Sequence, residues 1–271
     1  MAGLADLRAW RRLDPPLRIG PLQAGTLTVD QLSDPAGYQA ATRRLAAAGL
    51  SRNSAALAPL HLANWAVTLL LVRPVLHDAA WIPADAAQLG LVLESDGGTR
   101  SLWLAPELAV NPCPDAAGVG TAIAQFLGPV VLAMAGPSGL QQRTVRTIAA
   151  ESAIAGLYRT ARQAGRPGEA GWLEEAAAAV IGTLGARTGT QRLRCRPDGG
   201  PPVVMPARSQ CCVLGSPISR HCCPGCPRSG GQAEREKNLS AWLASLGDEE
   251  FFRACGRRRV DASSGPTQAA G

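Results

Sequence analysis

Residues 89–104 read LGLVLESDGGTRSLWL, two short apolar runs separated by a polar turn. The pair Asp96-Gly97 within this turn is typical of a β-hairpin, because aspartate and glycine tolerate the positive φ angles that tight hairpin turns require. We therefore expect two antiparallel strands, over 89–94 and 100–104. A lone hairpin is only marginally stable, so it should pack on helices or pair with further strands.

The chain on both sides of the hairpin has the pattern of helices. Apolar residues recur at helical spacing in five segments, which are separated by glycine and proline. These predicted helices, the second of them interrupted near Pro74, cover 38–50, 54–76, 116–135, 139–163 and 169–184. Two short runs, 192–194 and 202–205, are candidate strands that would join the hairpin. The predicted class is α+β and mainly helical, with a helical N-terminal body and a small antiparallel β-sheet.

A second stretch of the sequence contains cysteines that could bind a metal. Residues 211–226 read CCVLGSPISRHCCPGC and hold five of the eight cysteines. Crowded thiolates repel one another, and a bound cation or metal cluster makes their deprotonated state favourable. Four thiolates suit either a zinc ion or a 2Fe–2S cluster. The predicted ligands, at the spacing C-C-x10-C-x2-C, are Cys211, Cys212, Cys223 and Cys226.

The two halves of this motif differ in what they favour. Cys223 and Cys226 are separated by Pro-Gly, a turn that brings both sulfurs toward one metal. The directly adjacent pair Cys211-Cys212 counts against zinc, whose paired cysteines are normally two to four residues apart. Cys222 is an additional thiol that could replace Cys223, although the two-residue spacing of Cys223 gives the tighter turn.

The motif resembles the C-terminal motif of the FhuF-like ferric-siderophore reductases, in which cysteines at this spacing hold a 2Fe–2S cluster. The resemblance implies that Cys211, Cys212, Cys223 and Cys226 are the cluster ligands here. The segment LAPLHLAN (57–64), a predicted helix ahead of the hairpin, also resembles the N-terminal region of this family. That region is related to a domain of siderophore synthetases.

The resemblance implies an enzyme that transfers one electron to siderophore-bound Fe(III), which releases the iron as Fe(II). The chain has no flavin or nicotinamide motif, so it would take electrons from a separate donor, either a ferredoxin-like protein or an NAD(P)H-dependent reductase. Two other functions stay open on the residues alone. One is a zinc-stabilised binding module, and the other is an iron–sulfur redox or iron sensor without turnover.

The predicted organisation has four parts. An irregular N-terminal segment (1–36) precedes a domain that resembles the FhuF-like and siderophore-synthetase proteins (37–205). The cluster-binding segment follows (206–230), and then a short helix from about 232 to 255 leads to a disordered tail within 231–271.

Other reactive residues have simpler interpretations. His61 and Asn64 share one helix face and form either the remnant of a ligand pocket or, as we prefer, a hydrogen-bonded polar pair. His221 beside the cluster is expected to face solvent or support the ligands rather than bind iron. The remaining cysteines have no metal-like spacing and are interpreted as buried or incidental thiols: Cys113, Cys195 and Cys255.

Charge and composition suggest a location and a class of substrate. The net charge is +6, and of the 27 basic residues only Lys237 is lysine. Several arginines flank the motif and would either attract an anionic ferric chelate or form a solvated surface: Arg192, Arg194, Arg208, Arg220 and Arg228. No nucleic-acid partner is expected. The sequence has no predicted signal peptide or membrane span, and its cysteines suit a reducing compartment, so we expect a cytoplasmic protein. The basic surface leaves peripheral association with the inner face of the membrane open.

Overall fold

The computed structural model describes residues 4–10, 16–50, 52–93, 99–163, 170–193 and 203–206. About two thirds of these residues are helical, and a few strands form a small mixed sheet. The predicted class, α+β and mainly helical, is therefore confirmed.

All five predicted helices are present, with ends that shift by a few residues. Within the described residues the α-helices are α1 (Val29–Ser33), α2 (Pro35–Ala47), α3 (Arg52–Val67), α4 (Arg73–Asp78), α5 (Ala116–Ser138), α6 (Gln142–Gln163) and α7 (Ala170–Leu184). One π-helical turn, Thr68–Val72, joins α3 to α4. The interruption predicted near Pro74 is therefore a local change of hydrogen bonding, and the helical path continues to Asp78. Pro74 lies in the first turn of α4, directly after the π-helical turn, where the backbone hydrogen bonding already changes and accommodates its missing N–H.

Among the described residues the strands form three small sheets. In chain order they are β1 (Leu17–Ile19), β2 (Thr26–Thr28), β3 (Ala80–Trp81), β4 (Leu89–Leu93), β5 (Thr99–Leu104), β6 (Asn111–Pro112), β7 (Thr190–Leu193) and β8 (Val203–Pro206). The predicted hairpin is confirmed as β4 and β5, antiparallel with Leu91 opposite Leu102. It lies at the centre of a four-stranded sheet in the order β1-β5-β4-β2. Because β1 runs parallel to β5, the sheet is mixed, and the expectation of a wholly antiparallel sheet is wrong.

The two candidate strands after α7 form, but they do not join the hairpin. β7 pairs with β8 in a separate antiparallel ribbon, with Thr190 opposite Pro206. The physical reason is that both edges of the hairpin are already occupied, by β1 on one side and β2 on the other. The ribbon instead lies against α6 and α7.

The N-terminal segment is more ordered than its proline and glycine content suggests. Its described residues supply two short 3₁₀ turns, β1, β2 and α1. Thr28 begins α1 with a capping box, in which Gln31 N donates to Thr28 Oγ1 at 3.2 Å and Thr28 N donates to Gln31 Oε1 at 3.0 Å. This Thr-x-x-Gln pattern indicates a helix start within a segment whose proline and glycine content predicts irregular structure. Leu32 of α1 is fully buried, so the segment contributes to the main core.

The core is built around the apolar path from α3 to α4. Leu60, Leu70 and Leu71 on this path are fully buried, and α2, α5 and α6 pack beside it, while α7 packs on α5 and α6. In the part of the chain that the structure describes, two helices are long and apolar enough to cross a membrane, Ser54–Asp78 and Ala116–Gly136. Their windows are 72% and 50% buried inside the protein, and core helices share this composition, so neither establishes a location.

Candidate functional site

The predicted cluster ligands lie outside the described residues. Cys211, Cys212, Cys223 and Cys226, together with the alternative ligand Cys222, all follow the last described strand. That strand, β8, ends at Pro206, five positions before Cys211. The ligand set therefore stays a prediction from the motif, and so do His221 and the helix predicted from about 232 to 255.

The part of the chain that the structure describes holds no competing metal site. No group of three or more His, Cys, Asp or Glu side chains in it could hold a metal ion. Its one cysteine, Cys113, is half-buried, and its Sγ donates to the Pro114 carbonyl at 2.9 Å. Burial, and then the charge of Asp115, raise the pKa of the Cys113 thiol. Cys113 is thus a half-buried free thiol, in keeping with its interpretation as a buried or incidental thiol, while Cys195 and Cys255 lie outside the described residues.

His61 and Asn64 lie on one face of α3, as their spacing predicts, and both reach Ser152 on α6. His61 Nδ1 lies 3.0 Å from Ser152 Oγ, and Asn64 Nδ2 donates to the same oxygen at 3.2 Å. Ser152 was not predicted as a partner. The only hint in the sequence is the polar Glu151-Ser152 pair inside the apolar run of α6, and such a pair does not identify which helix lies opposite.

This polar cluster (His61, Asn64, Ser152) extends along α3 by one turn. Thr68 Oγ1 donates to the Asn64 carbonyl at 2.8 Å, and Asn64 is only 5% exposed. The Asn64 Oδ1 atom is buried and has no hydrogen-bond partner among the described residues. A serine beside an imidazole resembles half of a nucleophile–base pair. Here the hydroxyl also accepts the Asn64 amide, so the cluster holds α3 against α6, and the polar-pair interpretation accounts for it.

A second polar contact connects α6 to the ribbon. Glu151 is 5% exposed, and its Oε1 accepts a hydrogen bond from Thr188 Oγ1 at 3.2 Å. Thr188 lies two positions before β7, which leads through β8 toward the cysteine segment. Glu151 therefore fixes the approach to the strands from which the cysteine segment departs.

The buried arginine of the core is also structural. Arg73 is 7% exposed and its Nε donates to the Ala9 carbonyl, while Ala9 N donates to Asp78 Oδ2 at 2.8 Å. Burial lowers the pKa of the Arg73 guanidinium. Arg73 and Asp78 thus hold the N-terminal 3₁₀ turns against α4. Of the arginines expected to attract a chelate, only Arg192 belongs to a described strand, and Arg194, Arg208, Arg220 and Arg228 lie outside the described residues.

A scan against protein-family models finds no match to this chain, and a search among curated proteins finds no relative. The resemblance to the FhuF-like reductases therefore depends on the cysteine motif and on the segment 57–104, and it stays a prediction.

Proposed function

We propose that this protein is a ferric-siderophore reductase whose 2Fe–2S cluster is held by Cys211, Cys212, Cys223 and Cys226. The observation that carries the proposal is the spacing C-C-x10-C-x2-C within sixteen residues. Cysteine is rare in most proteins, and packing alone gives no reason to crowd five thiols into one short stretch.

The donor set fits the proposed group. Four thiolates satisfy the two irons of a 2Fe–2S cluster, and the adjacent pair Cys211-Cys212 suits zinc less well. Such a cluster supplies one electron at a time, which is what reduction of Fe(III) to Fe(II) requires. The substrate is the chelated iron, and the hard oxygen donors of a siderophore hold Fe(II) far more weakly than Fe(III). No proton-transfer residue is needed for this step.

The chain connection limits how far the cysteines lie from the helical body. A fully extended chain rises by no more than about 3.6 Å per residue, so Cys211 lies within about 18 Å of the Pro206 Cα atom. Pro206 ends the ribbon that lies against α6 and α7. A chelate that reaches the cysteines would therefore meet this side of the body, where arginines of the flanking sequence would attract its negative charge. The proposal includes a separate electron donor and a cytoplasmic location, with contact at the inner face of the membrane as a further option.

The test is a single-turnover reaction under anaerobic conditions. The reduced full-length protein is mixed with ferric hydroxamate and ferric catecholate siderophores, and Fe(II) is trapped by a coloured chelator. We expect Fe(II) to appear as the protein is oxidised. The Cys226→Ser variant should lose this reaction, whereas Cys113→Ser, which changes a cysteine outside the motif, should keep it. Absence of Fe(II) with every siderophore, from a protein shown to contain the cluster, would contradict the reductase and favour a sensor.

A second candidate function is a zinc-stabilised binding module, which the same four-cysteine set favours because zinc is the commonest metal of structural Cys₄ sites. Zn²⁺ has a filled d shell and no redox chemistry, so this candidate predicts a protein that is colourless and transfers no electrons. It also predicts that removal of the metal by a chelator unfolds the cysteine segment, and that neither form of the protein reduces a ferric siderophore.

A further inference from the structure

An open groove lies between α5 and the end of α7. Its volume is about 380 Å³, and its lining includes Pro129, Leu132, Arg146 and Leu184. Leu132 is 58% exposed, and among the described residues only one other large apolar side chain, Leu22 at 57%, is as open to solvent. The 23 residues of α5 include no charged side chain. The groove is therefore an apolar surface with an arginine at its edge.

The chain leaves the described body close to this groove. Gly185, which lines the groove, is followed five positions later by Thr190 at the start of β7. Thr190 is paired with Pro206, the last residue of β8. Five residues span at most about 18 Å, so the remaining chain begins within roughly 25 Å of the groove. Residues 207–271 follow, which is ample length to return to it.

One stretch of this remaining chain has the chemistry that the groove requires. Leu239, Trp242, Leu243 and Leu246 have the spacing i, i+3, i+4, i+7, which places four apolar side chains on one face of the helix predicted from about 232 to 255. Three acidic residues follow this stripe after one glycine, at 248–250. An apolar helix face in an apolar groove is a common mode of recognition, and the carboxylates complement Arg146.

We propose that residues 239–246 of this same chain dock in the groove between α5 and α7, with the acidic run at 248–250 beside Arg146. A second copy of the protein would offer the same stripe, but a tethered segment has an effective concentration on the order of millimolar and therefore competes strongly with it. Docking would return the chain to the body after the cysteine segment and close residues 207–238 into a loop between two fixed ends. The inference goes beyond the proposed function, because it holds whether or not the cysteines bind a metal.

The experiment uses photo-crosslinking in the full-length protein. The photoreactive amino acid p-benzoylphenylalanine replaces Leu132, which tolerates a large side chain because it is exposed. Leu22, equally exposed but on the β1–β2 connection, is the matched control position. We expect illumination to join position 132 to residues within 239–252 of the same chain, as read by mass spectrometry of the monomer band, and position 22 to give no such product.

Two substitutions show whether the apolar stripe is responsible. Leu243→Asp inserts a charge into the stripe and should reduce the intramolecular product at least tenfold. Ala241→Asp inserts the same charge on the opposite helix face and should leave the product unchanged. A crosslinked dimer, a crosslink to lipid when anionic vesicles are added, or no crosslink to the C-terminal segment would each overturn the proposal.

Discussion

A Cβ atom added to Gly120 of α5 would lie 2.1 Å from the carbonyl oxygen of Ala176 on α7. Side chains essentially never approach a backbone oxygen so closely, so the two helices cross with only a glycine hydrogen between their backbones. Helix pairs usually pack 8–10 Å apart, and residues without side chains are what permit a closer approach. α5 forms the wall of the proposed groove, so this crossing also fixes the groove's shape.

Replacement of Gly120 by alanine should lower the free energy of unfolding by about 1–3 kcal/mol, because α5 and α7 must separate to admit the methyl group. Gly136→Ala is the matched control on the same helix, since a Cβ atom there has nothing within 4 Å. Alanine is the better helix former, so the control should be neutral or gain about 0.5–1 kcal/mol. Urea unfolding of both variants measures the difference, and equal stability of the two would contradict the close crossing.

The polar cluster between α3 and α6 predicts a measurable cost for loss of one hydroxyl group. Ser152→Ala removes the acceptor of the Asn64 amide, a group that is nearly inaccessible to water. We expect the free energy of unfolding to fall by about 1–3 kcal/mol, as it does when a buried donor loses its partner.

Ser33→Ala is the control for this serine, because Ser33 Oγ donates only within its own helix, to the Val29 carbonyl at 2.9 Å. Its loss should cost less than about 1 kcal/mol. If Ser152→Ala were as mild as the control, the cluster would not hold the two helices together.

The burial of Tyr38 predicts that the free energy of unfolding falls at alkaline pH. Its side chain is fully buried, its hydroxyl donates to the Ala56 carbonyl at 2.7 Å, and desolvation by burial raises its pKa. The stabilisation is complete below the unfolded-state pKa of about 10 and is lost as pH rises above it, because only the unfolded chain then releases the proton.

Urea midpoints measured between about pH 9 and pH 12 should therefore fall more steeply for the wild type than for Tyr38→Phe. All other ionisable groups, including Lys237 and the cysteines, are the same in both proteins, so the difference between the two curves reports on Tyr38. A parallel fall for both proteins would show that Tyr38 ionises equally well in the folded state.

Much of the fold was predictable from local pattern. The five helices and the β4–β5 hairpin follow from apolar period and from Asp96-Gly97. The pairing partners of the short strands β1 and β7 cannot be predicted from the local sequence. Each strand has few residues, and its pairing depends on which sheet edges stay open. The sequence does not predict the secondary structure of residues 16–33, because their proline and glycine content outweighs the single capping signal of Thr28 with Gln31.

The candidate site likewise has one part that the local sequence predicts and one part that it does not. The cysteine ligands are predicted by spacing, which is a property of sequence alone, and they stay a prediction because they lie outside the described residues. The contact of His61 and Asn64 with Ser152 required the packing of α3 against α6. Nothing in the local sequence of α6 identifies its partner helix, so only the tertiary structure could supply Ser152.

The extra thiol of the motif offers a matched pair of substitutions. If Cys223 is a ligand and Cys222 is not, Cys223→Ser should lose most of the bound iron and the visible colour, while Cys222→Ser keeps both. Serine preserves side-chain size, so the comparison isolates the sulfur atom. Iron content and absorbance per chain, measured on both variants purified without oxygen, show which of the two cysteines is the ligand. Loss in Cys222→Ser alone would exchange the two assignments.

The most direct test of the central claim is a visible absorption and EPR spectrum of anaerobically purified protein, before and after dithionite, with iron and zinc assayed in the same sample. The account predicts a brown protein with about two irons per chain and an EPR signal that appears only on reduction. A colourless protein with about one zinc per chain and no signal would contradict the cluster, and the proposed reductase with it.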